Sequence, residues 1–474
     1  MTILICAYAH VPGANTATVA IEELARSVQS QVDAVTLKVR GESHIERLQN
    51  GRLFRVPVTG DLVERRSAFC RAVRRQFDSQ HYSAVQVRGP LEGLALLPRR
   101  KTHDFKLIYE VAETPPATKN QTTRAAWQAA HLRVAREADA MIVASTACHD
   151  AILKDVPGAR VHKVAPGVNV DRYDSAPLGP EPPHRLLYLG RFTEDRDVAT
   201  LLTAVAGLAD AYPLELMLAG DPSGAQHSAL RERVAKLELQ QVVRLRGVPV
   251  PRAIPYLVES CHIGVVPADK GEQHMEWGRI PQPLLEYMAC HRPVIAAGVP
   301  AVRELVTHGE SGLHYEPGNP ESLRACLIEL LEDAELGRRL ARQAHSQVRS
   351  RFSASHRRHA ISHIFGELVP ASASSRIWNG VFTTPADAEL PEHPTPLQQS
   401  SFFSPNMASG TDLVSNDQDA EEGSQGEWRF EFQESLLDTA EMGTELRGEP
   451  DTRISRSPPP PSDEPGDTSG DSSL

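Results

Sequence analysis

The chain has 474 residues, 41% hydrophobic and 23% charged, which allows two α/β cores because a single core rarely grows past about 250 to 300 residues. Its six cysteines are scattered without a C-x2-C spacing, and no apolar run reaches the roughly 18 residues of a membrane span, so neither a disulfide framework, a zinc cage nor a transmembrane helix is indicated. Of the net charge of −11, the stretch from residue 371 onward carries 20 acidic and 5 basic side chains, a net of −15, leaving the first 370 residues near +4 with no nucleic-acid signature.

The opening MTILICAYAHVP has strand length and no basic residue before it, so it reads as a first strand and not as a signal peptide. Short apolar runs rich in β-branched residues (TILICAY, SAVQVRG, KLIYEV, AMIVAS) then alternate with helical patterns such as ATVAIEELARSV and AAWQAAHLRVAREA. That alternation predicts a parallel sheet with helices on both faces over residues 1–178. The Pro-rich, charged stretch DRYDSAPLGPEPPHR reads as a linker, and LLYLGRF opens a second βα series assigned to residues 185–360. Residues 371–474 turn to Ser, Pro, Asp, Glu and Gly, a composition that cannot offset its ordering entropy, and are expected to be disordered. Within them, segment 426–443 carries Trp428, Phe430, Phe432, Leu436 and Leu437; it reads either as a docking segment for a protein partner or as an apolar patch without one.

Several residues stand where a doubly wound sheet binds ligands. Gly190 and Arg191 end a strand, and Arg196 follows on the same loop; two guanidinium groups there can neutralise a diphosphate. Asp195-Arg196-Asp197 spells D-x-D, but it stands just ahead of a helix, where Asp is a common N-cap, so no metal is expected. The helix PLLEYMAC presents free N–H groups and the positive end of its dipole through the turn at Leu284 and Leu285, and it carries the polar Glu286. The strand run PVIAAG, then Glu304, Gly309 and Gly312, follow it. Gly13 turns the first strand into the first helix, Gly247 and Val248 end RLRGVP, and Tyr109-Glu110-Val111-Ala112-Glu113 ends the strand KLIYEV. Glu110 or Glu113 could face the cleft, cap a helix or pair with Arg124.

Taken in order, these marks resemble the family 4 retaining glycosyltransferases over roughly residues 1 to 360. The resemblance implies a GT-B fold, two Rossmann-like domains facing a cleft, with the acceptor on the first and the donor nucleotide on the second. It implies transfer of a sugar, with retention and without a metal or a cofactor other than the nucleotide sugar, to a hydroxyl of a glycan, a lipid-linked or a small-molecule acceptor, as in polysaccharide biosynthesis. A cytoplasmic location, or one peripheral at the membrane, goes with it. Donor contacts are expected from Gly13, Gly190, Arg191, Arg196, Gly247, Val248, Leu284, Leu285 and Glu286, with Glu286 on the ribose. Arg191 and Arg196 would stabilise the leaving diphosphate. Three positions depart from the pattern: Gly278 stands at the first glutamate of E-x7-E, Pro283 at the lysine before the helix, and Ala112 at the histidine after KLIYEV. Glu276 is the nearest carboxylate to the first of these and is expected to act on the sugar in its place. The departures also leave open a non-catalytic binding or scaffold protein of the same fold, and a nucleotide-sugar epimerase is the third reading.

Overall fold

A computed structural model of the chain describes residues 2–11, 16–28, 30–39, 41–113, 121–173, 182–192, 197–220, 225–268 and 280–369, all within one compact unit, Met1–Ala408. The expectations placed on Gly13, Arg196, Glu276, Gly278 and the acidic tail lie outside the described residues.

The first sheet has eight strands: β1 (Thr2–His10), β2 (Gln31–Leu37), β3 (Ile45–Leu48), β4 (Gly51–Val56), β5 (Ala84–Val87), β6 (Lys106–Glu110), β7 (Ala140–Val143) and β8 (Val161–Lys163), in the order β3-β4-β2-β1-β5-β6-β7-β8. Every pairing is parallel except that of β3 with β4, an antiparallel hairpin at one edge. β5 and β7 are buried along their whole length, as strands covered by helices on both faces must be.

The second sheet is all parallel, with β9 (His184–Leu189), β10 (Leu214–Ala219), β11 (Val243–Arg246), β12 (Ile263–Val266), β13 (Val294–Ala297) and β14 (Leu313–Tyr315) in the order β11-β10-β9-β12-β13-β14. Both sheets therefore reverse direction beside their first strand, between β1 and β5 and between β9 and β12. Such reversals open a crevice outside the strands' carboxyl ends.

The chain then returns to where it began. The helix Ala354–Leu368, capped by Ser353, seats Ile361, Ile364 and Phe365 against Ile3, Ile5, Ile21 and Leu24 of the first domain. Its first turn is tied to the segment leaving β8, because Ala354 N–H donates to Val168 O at 2.8 Å. A second tie joins the two sheets' connections: the Glu304 carboxylate accepts from the Thr146 N–H at 2.8 Å and from its hydroxyl at 2.9 Å, at the N-terminus of the helix Thr146–Asp155, beside the Ser145 cap. An acidic group there satisfies orphan donors and meets the favourable end of the helix dipole.

Candidate functional site

At the reversal of the second sheet, two neighbouring strands deliver the residues singled out from sequence. Gly190 and Arg191 leave β9, and the helix Gln282–Ala289 follows β12, which pairs with β9. The loop after β9 is shaped by close packing of backbone, since a Cβ on Gly220 would lie 1.5 Å from Gly190 O. Only glycine fits at that approach. Tyr188 OH donates to Arg191 O at 2.6 Å, which pins the loop while the Arg191 side chain lies at the surface. Gly247 and Val248, half-buried, follow β11 at the same carboxyl edge, with β10 between them and the reversal.

The helix itself is locked to β9. Tyr287 OH donates to Leu187 O at 3.0 Å and accepts from Leu189 N–H at 3.1 Å. No side chain caps its start, because Pro281 occupies the N-cap. Leu284 and Leu285 are fully buried, and the Leu284 N–H is already donated to Pro281 O at 3.1 Å while Pro283 has no N–H, so the free donors expected from sequence are not found at Leu284. Glu286 is 7% exposed, and its Oε1 accepts from Tyr173 OH at 3.2 Å. Burial pushes its carboxyl up to about 7, against the pull of the Tyr173 bond and of Arg172. Asp197 stands at the N-cap of the helix Val198–Ala206 and accepts from the Thr200 hydroxyl at 2.6 Å.

The facing wall belongs to the first domain and surrounds Glu110 and Glu113 with arginines that sequence reasoning passed over, Arg88, Arg357 and Arg66. Glu110, at the end of β6, accepts from Gln86 Nε2 at 2.7 Å, from Arg88 Nη2 at 3.2 Å and from Arg357 Nη2 at 2.9 Å. Arg357 comes from the returning helix and also donates to Val164 O and Ala165 O at 3.3 and 3.2 Å. Burial alone would raise the Glu110 carboxyl, but the two guanidinium groups outweigh it and hold it below the usual range. Ala112, at the position of the expected histidine, lines a cavity of about 50 Å³ together with Arg88, Glu110 and Arg357 and, from the second domain, Ile280 and Gln282.

Glu113 pairs with Arg66 through both oxygens at 3.0 Å, and Arg66 stacks 3.7 Å over the Tyr8 ring. The buried Glu92 lies 3.5 Å from the same guanidinium, and its carboxyl is pushed up to about 8 by burial and then by Glu113. Among the described residues, no group of three or more His, Cys, Asp or Glu side chains is arranged to hold a metal.

With the site's geometry in place, its kinship can be stated. Residues 171–347 match the family described as Glycosyl transferases group 1. The matched segment takes in the second sheet and the helices that follow it, from the 3-10 turn Val170–Arg172 into the helix Ala334–Arg351. A D-inositol 3-phosphate glycosyltransferase from Thermobispora bispora is 33% identical over 39% of this chain and 45% of its own length. The chain thus spans about half the length of the curated relatives it matches.

Among solved structures, sucrose-phosphate synthase from Thermosynechococcus elongatus superposes with a TM-score of 0.68 at 19% identity, covering 78% of this chain and 100% of that one. The HepE protein of Anabaena, solved with UDP and glucose, superposes with a TM-score of 0.63 at 18% identity over 77% of this chain and 100% of its own. The fold is GT-B, as the sequence resemblance implies: two Rossmann-like sheets whose carboxyl edges carry the residues above.

Proposed function

We propose that the chain transfers a sugar from a nucleotide-sugar donor to an acceptor hydroxyl, with retention and without a metal ion. The observation that carries this reading is the shared position of Gly190, Arg191 and the helix Gln282–Ala289 after the neighbouring strands β9 and β12, at the reversal of the second sheet and inside the segment that matches the glycosyl transferase family. A guanidinium group beside a helix N-terminus stabilises negative charge that grows on a departing diphosphate. In this reading Arg191 and Arg196 meet the phosphates, and Gly13 lets the first domain's backbone approach them. Gly247 and Val248 lie by the base, and Glu286 orients the ribose. Glu276 holds a hydroxyl of the sugar as positive charge develops there.

Among the described residues no helix is long and apolar enough to cross a membrane, which suits a cytoplasmic enzyme working on a glycan, a lipid-linked acceptor or a small molecule. The test is a donor screen on the full chain by thermal shift against UDP, GDP, ADP and their sugars. A ligand at 100 times its dissociation constant adds about 2.7 kcal/mol of stability. Anomeric configuration of the product, read by NMR, tests retention, and turnover in excess chelator tests metal independence.

The second reading, a binding or scaffold protein of the same fold, is favoured by Ala112, which brings only a methyl group to the cavity at the end of β6. Nucleotide binding without turnover of any donor would select it.

A further inference from the structure

The segment that carries the chain out of the first domain ends inside the second one. Val170 and Tyr173, at the 3-10 turn after β8, are buried in the same cluster as Leu284, Leu285 and Met288 of the helix Gln282–Ala289. Hydrogen bonds fix that turn from both sides. Val168 N–H donates to Phe352 O at 3.0 Å, Ala354 N–H to Val168 O at 2.8 Å and Tyr173 N–H to Val170 O at 2.9 Å, while Gln282 Nε2 in the first turn of the helix donates to Gly167 O at 3.2 Å. The Tyr173 side chain, 8% exposed, is thus placed by its backbone and its packing, and its hydroxyl donates to Glu286 Oε1 at 3.2 Å.

Glu286 has little else to hold it. A carboxylate can accept about four hydrogen bonds. Among the described residues the Tyr173 hydroxyl is the only donor to Glu286. Oε2 accepts no bond there, and it is not one of the side-chain oxygens sealed from solvent, so it is the oxygen open to a ligand. Burial favours the uncharged carboxyl; the Tyr173 bond, and then Arg172, act against it. Tyr173 keeps its proton at neutral pH, because burial and then Glu286 raise its phenol well above the usual range. A fixed donor on Oε1 therefore sets the plane of the carboxyl group and favours its charged form, the stronger acceptor of hydroxyl protons.

We propose that Tyr173 is a positioning residue of the donor site: its hydroxyl turns the free oxygen of Glu286 toward the vicinal hydroxyls of a ribose, and the discrimination of ribose from deoxyribose depends on it. This rests on the glycosyl-transfer reading above, in which Glu286 orients the ribose, and adds the group that sets Glu286. A site built to bond a hydroxyl rejects the analogue that lacks it, because the buried group is then left unpaired.

Affinity of the full chain for UDP, GDP and ADP and for their 2′,3′-dideoxy forms is measured by titration in wild type, Tyr173→Phe, Glu286→Gln and the double variant, with melting midpoints taken alongside. Phe keeps the ring in its apolar setting and removes the hydroxyl alone. Wild type should favour the ribo form of whichever nucleotide it binds. Tyr173→Phe should weaken that form about tenfold, the worth of one hydrogen bond to a charged group, and leave the dideoxy form unchanged. In the Glu286→Gln background Tyr173→Phe should add little, because both act through one contact. The double variant leaves no buried carboxyl without its donor, so this second comparison stands even where the single variant melts early.

Equal weakening of both forms in Tyr173→Phe, weakening of neither, or a further loss between Glu286→Gln and the double variant overturns the proposal, since a hydroxyl that serves only packing would not separate the two sugars. A wild type that binds ribo and dideoxy forms alike removes the ribose role of Glu286 and this inference with it, and leaves the donor site to be judged by Arg191→Ala. A wild type that binds no nucleotide removes the donor reading itself.

Discussion

Replacing Glu110 by Ala should destabilise the chain more than replacing Arg357 by Met, although Arg357 is the larger side chain. Glu110 sits between two cations, with Arg357 Nη2 at 2.9 Å and Arg88 Nη2 at 3.2 Å. Without the carboxylate, two buried guanidinium groups face each other with their charges unmatched, a change that costs about 3–5 kcal/mol. Without Arg357, the neutral pair of Glu110 and Arg88 survives, joined at 3.1 Å, and Gln86 still donates at 2.7 Å. What is lost then is one charge-assisted bond and the donors to Val164 O and Ala165 O, for about 1.5–3 kcal/mol, softened by the apolar fill that Met supplies. The midpoints of urea unfolding at pH 7, compared at constant m-value, measure the order.

The pH dependence supplies a second reading of the same network. Arg88 and Arg357 overcome the effect of burial and hold Glu110 below its ordinary value of 4.5. Its contribution is therefore present above about pH 4.5 and is lost as pH falls through the lower folded value. The gap between wild type and Glu110→Ala should close in acid. Equal or greater damage from Arg357→Met, or a gap that stays constant from neutral pH into acid, would refute this account of the charges.

Glu286, raised from 4.5 to about 7, has the opposite sign: its contribution is full below pH 4.5 and falls as pH rises to about 7, so Glu286→Gln should flatten that slope and gain on the order of 2–3 kcal/mol at pH 8 by chemical unfolding. Arg191→Ala, at an exposed position, should leave the melting midpoint unchanged while weakening nucleoside diphosphate by about 1.5–3 kcal/mol in a titration, and unchanged affinity for every nucleotide would remove the donor site from that loop. Glu276→Gln should cut turnover strongly with nucleotide affinity near normal; a variant as active as its parent would leave the role expected at Gly278 unfilled. Glu304→Ala, which frees the Thr146 N–H and hydroxyl, should cost about 0.5–2 kcal/mol and speed proteolysis of the segment between the two sheets, and no change in either would mean the bridge does not hold the domains together.

Much of this fold was legible because a strand buried on both faces has little choice of residues. The runs AVQV and AMIV are buried throughout and were visible as apolar blocks between helical patterns. The hairpin from Ile45 to Val56 was not read, and its burial explains why. β3 is mostly exposed, Ile45 by 58%, and mixes charged with apolar residues, so no run stands out. The returning helix Ala354–Leu368 was not read either, and the boundary expected at residue 360 falls inside it. Amphipathicity says that Ile361, Ile364 and Phe365 share a face; it does not say that the face will find Ile3 and Ile5 at the other end of the chain.

The site divides along the same line. Gly190 and Arg191 could be found because a glycine and a cation directly after a strand mark the carboxyl edge of a doubly wound sheet. Arg88 obeys that same rule, in Val87-Arg88-Gly89 after β5, and was open to the same inference. Arg357 was not: it lies mid-helix in a basic stretch, Arg357-Arg358-His359, where a solvated face is the ordinary expectation. Only the docking of that helix turns one arginine inward to Glu110 and the other toward Glu23. A sequence states how many charges a chain has, and local spacing suggests pairs a turn apart. The cluster of Arg88, Glu110 and Arg357 beside Ala112 exists only because positions 88, 110 and 357 converge, so it is a property of the topology that no local spacing announces.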